Sequence, residues 1–399
     1  MTVPESPFDR LRDLLRDAVP PAGLEPIALH LGEPRLSRPP LDSSSLADPQ
    51  GWSRYPPLGG TAALRSAYTG WLERRFAIGA SLRDGRVAVE PTPGTKQAVS
   101  VAIMQAVLAA GGHGSPVAPA VVMPNPAYPS YYAATIAARA RPVFYGAGNV
   151  DHVAEVAAAV RAAGPPVAAV VVCNPGNPQG DIIGPGGLRA IGEVARSAGA
   201  VLLADECYTD LSVSGEVPGY LPVAAQDRAA GQSFLVLHSL SKRSGAPGLR
   251  SGFMAGDPAL VGGYATYNRA CGVSVPGPVC AAAAALWADD FHVSQLRSAL
   301  TRNWEVADSL LAGVPGYRRP GAGFFCWLPV ADDERSAHQL WQRHAVSVMP
   351  GRYLAAEDAT GANPGAGYLR IALVHDEDTT REALTRLRTQ LTTETEMSA

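Results

Sequence analysis

HSLSKRSGAPGLRSGF, residues 238–253, is the stretch that decides the fold. It continues the short apolar run FLVLH, residues 234–238, which has the length and character of a buried strand. Lys242 therefore falls just past the carboxyl end of a strand, where open α/β sheets place their ligands. Ser239 and Ser241 flank it with hydroxyls, and a turn of small residues, Ser244 to Gly248, leads on to Arg250. A lysine amine lowered in pKa by burial or by neighbouring cations can condense with an aldehyde as a Schiff base. Arg250 and Ser239 offer the fork of donors and the hydroxyl that a phosphate group needs. A Schiff-base lysine beside a phosphate site points to pyridoxal phosphate. Taken alone, the stretch also fits a solvated Ser/Gly turn with two surface cations, so the rest of the chain must supply the remaining parts of such a site.

Outward from this stretch, short apolar runs alternate with helical ones from Val87 to Gly256. The runs VAVE, AVVMP, PVFYG, VAAVVV, AVLLAD, FLVLH and SGFMAG predict seven strands, with helices at 95–110, 130–138, 153–163 and 188–198 between them. Strands separated by helices require crossover connections, so the sheet is expected to be mostly parallel and the fold class α/β. Before this region, the spacing of Phe8, Leu11, Leu14 and Leu15 predicts an amphipathic helix, and residues 26–31 predict a strand running into Gly32. The stretch up to Gln50 reads as a covering loop, and residues 61–78 as a helix behind a cap-like Thr61. Beyond Asp257, helices are expected at 259–270, 276–288 and 291–311. A terminal α+β unit follows, with strands at 324–328, 346–349 and 368–373, helices at 335–344 and 378–391, and a frayed polar tail.

Four further motifs lie at strand ends. Pro93-Gly94-Thr95-Lys96 joins a strand to a helix, where exposed N–H groups and the Thr95 hydroxyl can cradle a phosphate, although Gly-Thr is also a plain helix cap. Tyr128, held by prolines in PNPAYP, can stack on a flat heterocycle or pack as an ordinary core tyrosine. In NPGNPQG, residues 174–180, a rigid loop presents Asn177 as a donor to a phenolate oxygen. Asp205 closes the run AVLLAD; a buried carboxylate there can hold a ring nitrogen protonated, with Tyr208 in reach of the neighbouring ring oxygen, or it can simply cap the next helix. Arg370 interrupts the apolar run YLRIAL, and burying a guanidinium requires an anionic partner, either a substrate or an internal carboxylate.

Composition excludes several classes. A 399-residue chain with a formal charge of −3 has no basic excess for nucleic acid, and no apolar run long enough to span a bilayer. Its five scattered cysteines show neither a disulfide framework nor metal-ligand spacing, so no metal is expected. The amino terminus, MTVPESPFDRLRDLL, lacks the apolar centre of a signal peptide, which makes the cytoplasm the expected location.

With these motifs in order, the chain resembles the fold-type I pyridoxal-phosphate aminotransferases of class I/II over nearly its whole length. PFDRLRDLL with IALHLGEP, SLSKRSGAPGLRSGF, and VSVMPGRYLA with NPGAGYLRIAL look most like the bacterial N-succinyl-LL-diaminopimelate aminotransferases of lysine biosynthesis. The resemblance implies an N-terminal segment (1–45) joining a small domain (301–399), with a large cofactor-binding domain (46–300) between them. It implies Lys242 as the Schiff-base lysine and proton shuttle, Asp205 at the pyridine nitrogen, Asn177 and Tyr208 at the ring hydroxyl, and Tyr128 stacked on the ring. Gly94, Thr95, Lys96, Ser239, Ser241 and Arg250 would surround the cofactor phosphate; Arg370 would clamp the substrate carboxylate; Gly32 and Asn177 would line the substrate pocket. Tyr55, in RYPPLGG, resembles the tyrosine that reaches the phosphate of the other subunit, which implies a homodimer with shared sites.

The implied reaction moves an amino group from an amino acid, glutamate, to a keto acid. Departures bear on substrate choice: the usual NPTG is NPQG with Gln179, Gln97 replaces an acidic residue, and Arg352 replaces a small one. Lys96, Arg35, Arg243, Arg269 and Arg352 are all conceivable anchors for a distal carboxylate. These departures also motivate an alternative, an enzyme of specialised metabolism that uses the same cofactor for elimination, replacement or cyclisation at the β or γ carbon.

Overall fold

The computed structural model describes residues 3–36, 39–41, 43–111, 116–213, 215–226, 233–358 and 360–398. In chain order its strands are β1 (Ile27–Ala28), β2 (Ala88–Thr92), β3 (Ala120–Asn125), β4 (Arg141–Gly146), β5 (Val167–Cys173), β6 (Val201–Asp205), β7 (Phe234–Ser239), β8 (Gly252–Gly256), β9 (Phe325–Pro329), β10 (Val346–Ser347), β11 (Met349–Pro350) and β12 (Tyr368–Ala372). Seven of them form one sheet in the order β2-β8-β7-β6-β5-β3-β4. β8 runs antiparallel to both neighbours and every other pairing in this sheet is parallel.

The central strands are buried along their whole length, as VAAVVVC of β5 and FLVLHS of β7 show. That burial follows from helices covering both faces of the sheet, and it explains why these segments read as continuous apolar runs rather than alternating ones. One face packs on the helix Ala62–Phe76, whose Leu64, Tyr68, Trp71 and Leu72 are buried. The other packs on the helix Thr95–Ala109. Because β2, β3, β5, β6 and β7 point the same way, their carboxyl ends lie along a single edge. The chain leaves β2, turns through Pro93-Gly94, and returns on the far side of the sheet at β3, which opens a crevice at that edge.

A second core gathers around the three-stranded antiparallel sheet β11-β12-β9, with Leu369, Ile371, Phe324 and Leu328 inaccessible to solvent. The 21-residue helix Phe291–Leu311 leads into it and is tied there by Asn303, which donates to the carbonyls of Leu373 and His375, and by Trp304, which donates to that of Gly323. The N-terminal segment joins the same core, since β1 pairs in parallel with β10. Among the described residues no helix is long and apolar enough to cross a membrane.

Three sequence expectations need correction. The strand expected at 26–31 is only Ile27–Ala28, because the chain beyond it passes between two neighbours: Leu29 donates to Ser347 O while its own carbonyl accepts from Ala372. The covering loop contains two short helices, Ser43–Ala47 and Pro49–Trp52; the second is started by Asp48, which accepts from Gln50 N ahead of a proline at the first helical position. The tail expected to fray continues as helix from Glu377 to Ser398. That segment contains neither Gly nor Pro, so polarity alone gives it no stop signal.

Candidate active site

The crevice at the carboxyl edge is a cleft with a cavity volume of ≈ 230 Å³. Gly32, Thr95, Lys96, Tyr128, Asn177, Asp205, Tyr208, Ser239, Ser241, Lys242, Arg250 and Arg370 all line it. Residues up to 338 positions apart in sequence, from Gly32 to Arg370, are thus brought to one wall-to-wall space.

Each is delivered by its element. β7 ends at Ser239, whose Oγ accepts from Ser241 N at 3.1 Å and starts the short turn of helix Leu240–Arg243, with Lys242 on its inner side. The Lys242 amine donates to Gly32 O at 2.5 Å. Burial, which disfavours the charged form, pushes its pKa down to about 8. β6 ends at Asp205, which is buried; Tyr131 donates to Oδ2 at 2.7 Å and Cys207 N donates to Oδ1 at 3.2 Å. The cap-like contact to Cys207 N is therefore present, and it leaves the carboxylate at the floor of the cleft.

β5 runs into the Asn174–Gly180 loop. Asn174 pins that loop by accepting from Ile183 N at 2.9 Å and donating to Pro218 O at 3.0 Å. Gly180 has φ +69°, and a Cβ there would lie 2.5 Å from Ala322 O, so only glycine fits. So held, Asn177 donates to the Tyr208 hydroxyl at 3.3 Å. At the phosphate-like end, Gly94 caps the helix Thr95–Ala109 without a side-chain bond, leaving its first N–H groups open. A Cβ at Gly94, where φ is +87°, would collide with the Arg250 guanidinium. The cradle of open N–H groups, Thr95, Ser239, Ser241 and Arg250 thus suits a phosphate, while Asp205 and the Asn177–Tyr208 pair line the same cleft and have the chemistry to meet a protonated ring nitrogen and a ring hydroxyl. The residues present fit pyridoxal phosphate.

Arg370 enters from β12. It is 5% exposed, yet no carboxylate pairs with it among the described residues: Nη1 lies 3.5 Å from Asn177 Oδ1, Nη2 donates to His30 O at 3.1 Å, and Nε has no partner. Its guanidinium carbon sits 4.2 Å above the Phe325 ring. Burial lowers its pKa to about 10. Of the two partners the sequence left open for Arg370, the internal carboxylate is not the one found.

Several expectations are displaced. Tyr55 does not line this cleft, and its side chain is fully exposed. Among the five proposed distal anchors, Lys96 alone lines the cleft. Arg352 is bound to Asp333 and Glu334, and Arg243 is buried against Asp210 and Asp290. Arg35 pairs with Glu33, and Arg269 lies beside Gly59. Gln179 is buried outside the cleft, and Gln97 bonds to Asn268 and Tyr264. The structure adds wall residues the sequence reading missed: Phe8, Leu31, Glu33, Tyr131, Cys173, Cys207, Pro247 and Phe325. Only Tyr131 left a signal, one helical turn after Tyr128.

Cofactor cradle, strand-end lysine and mostly parallel seven-stranded sheet together define a fold-type I pyridoxal-phosphate enzyme. Residues 29–387 match the family of aminotransferases of class I and II. The chain is 32% identical to 4-dedimethylamino-4-oxo-anhydrotetracycline transaminase OxyQ of Streptomyces rimosus, over 96% of this chain and 99% of that one. It is 30% identical to a probable aminotransferase, Rv1178, of Mycobacterium tuberculosis, over 94% of this chain and 84% of that one. A solved aminotransferase from Neisseria meningitidis superposes with a TM-score of 0.87 at 31% identity, covering 98% of both chains. The chain belongs to the class I and II aminotransferases, whose members use pyridoxal 5'-phosphate and act on amino acids and keto acids.

Proposed function

We propose that this aminotransferase takes its amino group from glutamate, and that Lys242, Asp205 and Arg370 are its working residues. The observation that carries this reading is Arg370: a buried guanidinium that no carboxylate meets among the described residues, in the same cleft as a lysine amine of lowered pKa. A substrate carboxylate would complete that arginine with two parallel bonds. Pyridoxal phosphate, when bound, supplies an aldehyde to receive the amino group and a conjugated ring to take up the electrons of the broken Cα–H bond. Thr95, Ser239, Ser241 and Arg250 would hold its phosphate, Asp205 its ring nitrogen, and Asn177 with Tyr208 its ring hydroxyl, while Tyr128 would cover its face. Lys242 would hold the aldehyde at rest. With its amine free and burial disfavouring the charged form, Lys242 would accept a proton from the substrate Cα and return it.

In the same reading residues 46–300 form the cofactor-binding domain and 301–399 a small domain joined by 1–45. The enzyme works in the cytoplasm as a homodimer, and the exposed Tyr55 serves the partner's phosphate site. The acceptor favoured is a keto acid with a distal carboxylate, like N-succinyl-2-amino-6-oxopimelate, with Lys96 as the anchor for that carboxylate. A second reading, specialised metabolism, draws on the likeness to the 4-dedimethylamino-4-oxo-anhydrotetracycline transaminase and on the aromatic walls, Phe8, Tyr128 and Phe325, which suit a flat polycyclic carbonyl compound.

The test is the absorbance of the holoenzyme with excess L-glutamate and no acceptor. Loss of the lysine-bound cofactor band, with stoichiometric 2-oxoglutarate, is expected, as is absence of that band in Lys242→Ala. A wild-type spectrum in the Lys242→Ala variant refutes the role of Lys242. A wild-type enzyme whose spectrum is indifferent to glutamate refutes glutamate as the donor.

A further inference from the structure

The turn that carries Lys242 is fastened from behind, on the side away from the cleft. Arg243, the next residue, has a side chain only 3% exposed. Its Nε lies 3.0 Å from Asp210 Oδ2, Nη2 donates to Asp290 Oδ1 at 2.5 Å, and Nη1 donates to Asp289 O at 3.3 Å. The guanidinium carbon also sits 5.2 Å from the Trp287 ring centre and 5.7 Å from that of Trp71. Ser244 is held independently: its Oγ lies 2.9 Å from His292 Nε2, and the other ring nitrogen of His292 lies 2.9 Å from Asp289 Oδ2.

These partners belong to two places that matter. Asp289, Asp290 and His292 make the junction between the helix Gly277–Ala288 and the helix Phe291–Leu311, and the latter runs into the core that contains Arg370's strand. Asp210 lies two residues beyond Tyr208 and five beyond Asp205, and is also paired with Arg75 at 3.4 Å. One guanidinium therefore spans the lysine turn, the segment following Asp205 and the base of the connecting helix. The chain leaves the turn through Gly245, at φ +59°, a conformation that L side chains rarely adopt.

We propose that Arg243 and Ser244 are positioning residues for Lys242: they lock its backbone to the Asp210 segment and to the 289–292 junction, so that the amine is aimed at the substrate Cα. Neither lines the cleft. A lysine stem has four rotatable bonds, and its amine is placed only as well as its Cα is. A misplacement of about 1 Å in a reacting group can cost about 100-fold in rate. The proposal rests on the reading of Lys242 given above.

The experiment compares Arg243→Lys, which keeps the charge but loses the planar fork, with Ser244→Ala, which leaves the arginine contacts intact. Three quantities are read: uptake of pyridoxal phosphate by the apoprotein on mixing, the single-turnover half-reaction with glutamate, and its isotope effect with Cα-deuterated glutamate. Uptake and half-reaction are expected to slow about 10- to 100-fold in Arg243→Lys and about 3- to 10-fold in Ser244→Ala. The isotope effect should rise in both, because the misaimed amine makes proton transfer limiting, while the glutamate KM stays within about 3-fold. Wild-type uptake and isotope effect in both variants would overturn the proposal. So would losses that track only the fraction of protein unfolded, with the isotope effect unchanged. If Lys242→Ala keeps the wild-type spectrum, the assignment of Lys242 itself falls, an outcome separable from the other two.

Discussion

Arg370 Nη1 and Asn177 Oδ1 lie 3.5 Å apart, joining the strand Tyr368–Ala372 of the C-terminal sheet to the loop that leaves β5 of the large sheet. Asn177 in turn donates to Tyr208, so Arg370 and the oxygen proposed to face the cofactor ring share Asn177 as a common neighbour.

Replacing Arg370 should therefore separate function from stability. Arg370→Met is expected to lower kcat/KM for glutamate by about 10² to 10³, in keeping with the loss of a desolvated charge pair. Its apoprotein should melt at or above the wild-type temperature, because a buried cation that meets no counter-charge among the described residues disfavours the folded state. Steady-state kinetics and a melting curve on the same preparation check both halves.

Lys242 should leave a mark on the pH dependence of apoprotein stability. Its folded pKa is lowered to about 8 from 10.5, so between these values the unfolded chain binds more protons, and stability rises with pH. The strain of the buried amine is felt fully below pH 8 and relieved above 10.5, an amplitude of roughly 3 kcal/mol. Denaturant unfolding of wild type and Lys242→Met from pH 7 to 11 is expected to show the gap closing as pH rises.

Tyr131 donates to Asp205 Oδ2 at 2.7 Å in a fully buried setting, and a hydrogen bond to a charged acceptor is worth about 1.5–3 kcal/mol. Tyr131→Phe keeps the shape and removes the donor. Asp205 then holds a ring nitrogen less well, and cofactor dissociation, followed by absorbance after dilution, should accelerate about 10-fold or more, the rate equivalent of the lower end of that range.

Behind the cleft, Glu206 Oε2 lies 3.5 Å from His238 Nε2, both side chains enclosed. Burial raises Glu206 to about 8 and lowers His238 to about 3, so the pair is neutral at pH 7. For Glu206 the folded state binds more protons between about 4.5 and 8, and stability falls as pH rises through that window. Glu206→Gln should flatten this decline, most visibly above pH 6.5, where His238 no longer titrates in the unfolded chain. A decline of equal slope in both proteins, measured by denaturant unfolding, would show the Glu206 carboxyl to be ionised in the fold.

The sheet, and the groups that stand at its carboxyl edge, can be read from the chain alone. Runs such as VAAVVVC and FLVLH have the length and unbroken apolar character of strands covered on both faces, and the turn residues after them mark where the chain must emerge, so Lys242, Asp205 and Asn177 were legible as strand-end groups. Tertiary structure alone decided which long side chains turn inward. Lys242 and Arg243 are neighbours of the same charge, yet one faces the cleft and the other Asp210 and Asp290. Arg352 resembles Lys96 as a candidate anchor until Asp333 and Glu334 are seen to hold it. Tyr131 showed its register but not its carboxylate, and nothing local marks Phe8 or Phe325 as walls of the same space. The reason is physical: backbone conformation follows from local periodicity and turn chemistry, whereas the direction of a flexible charged side chain is set by partners far away in sequence, and a buried guanidinium goes wherever folding has placed an oxygen to receive it.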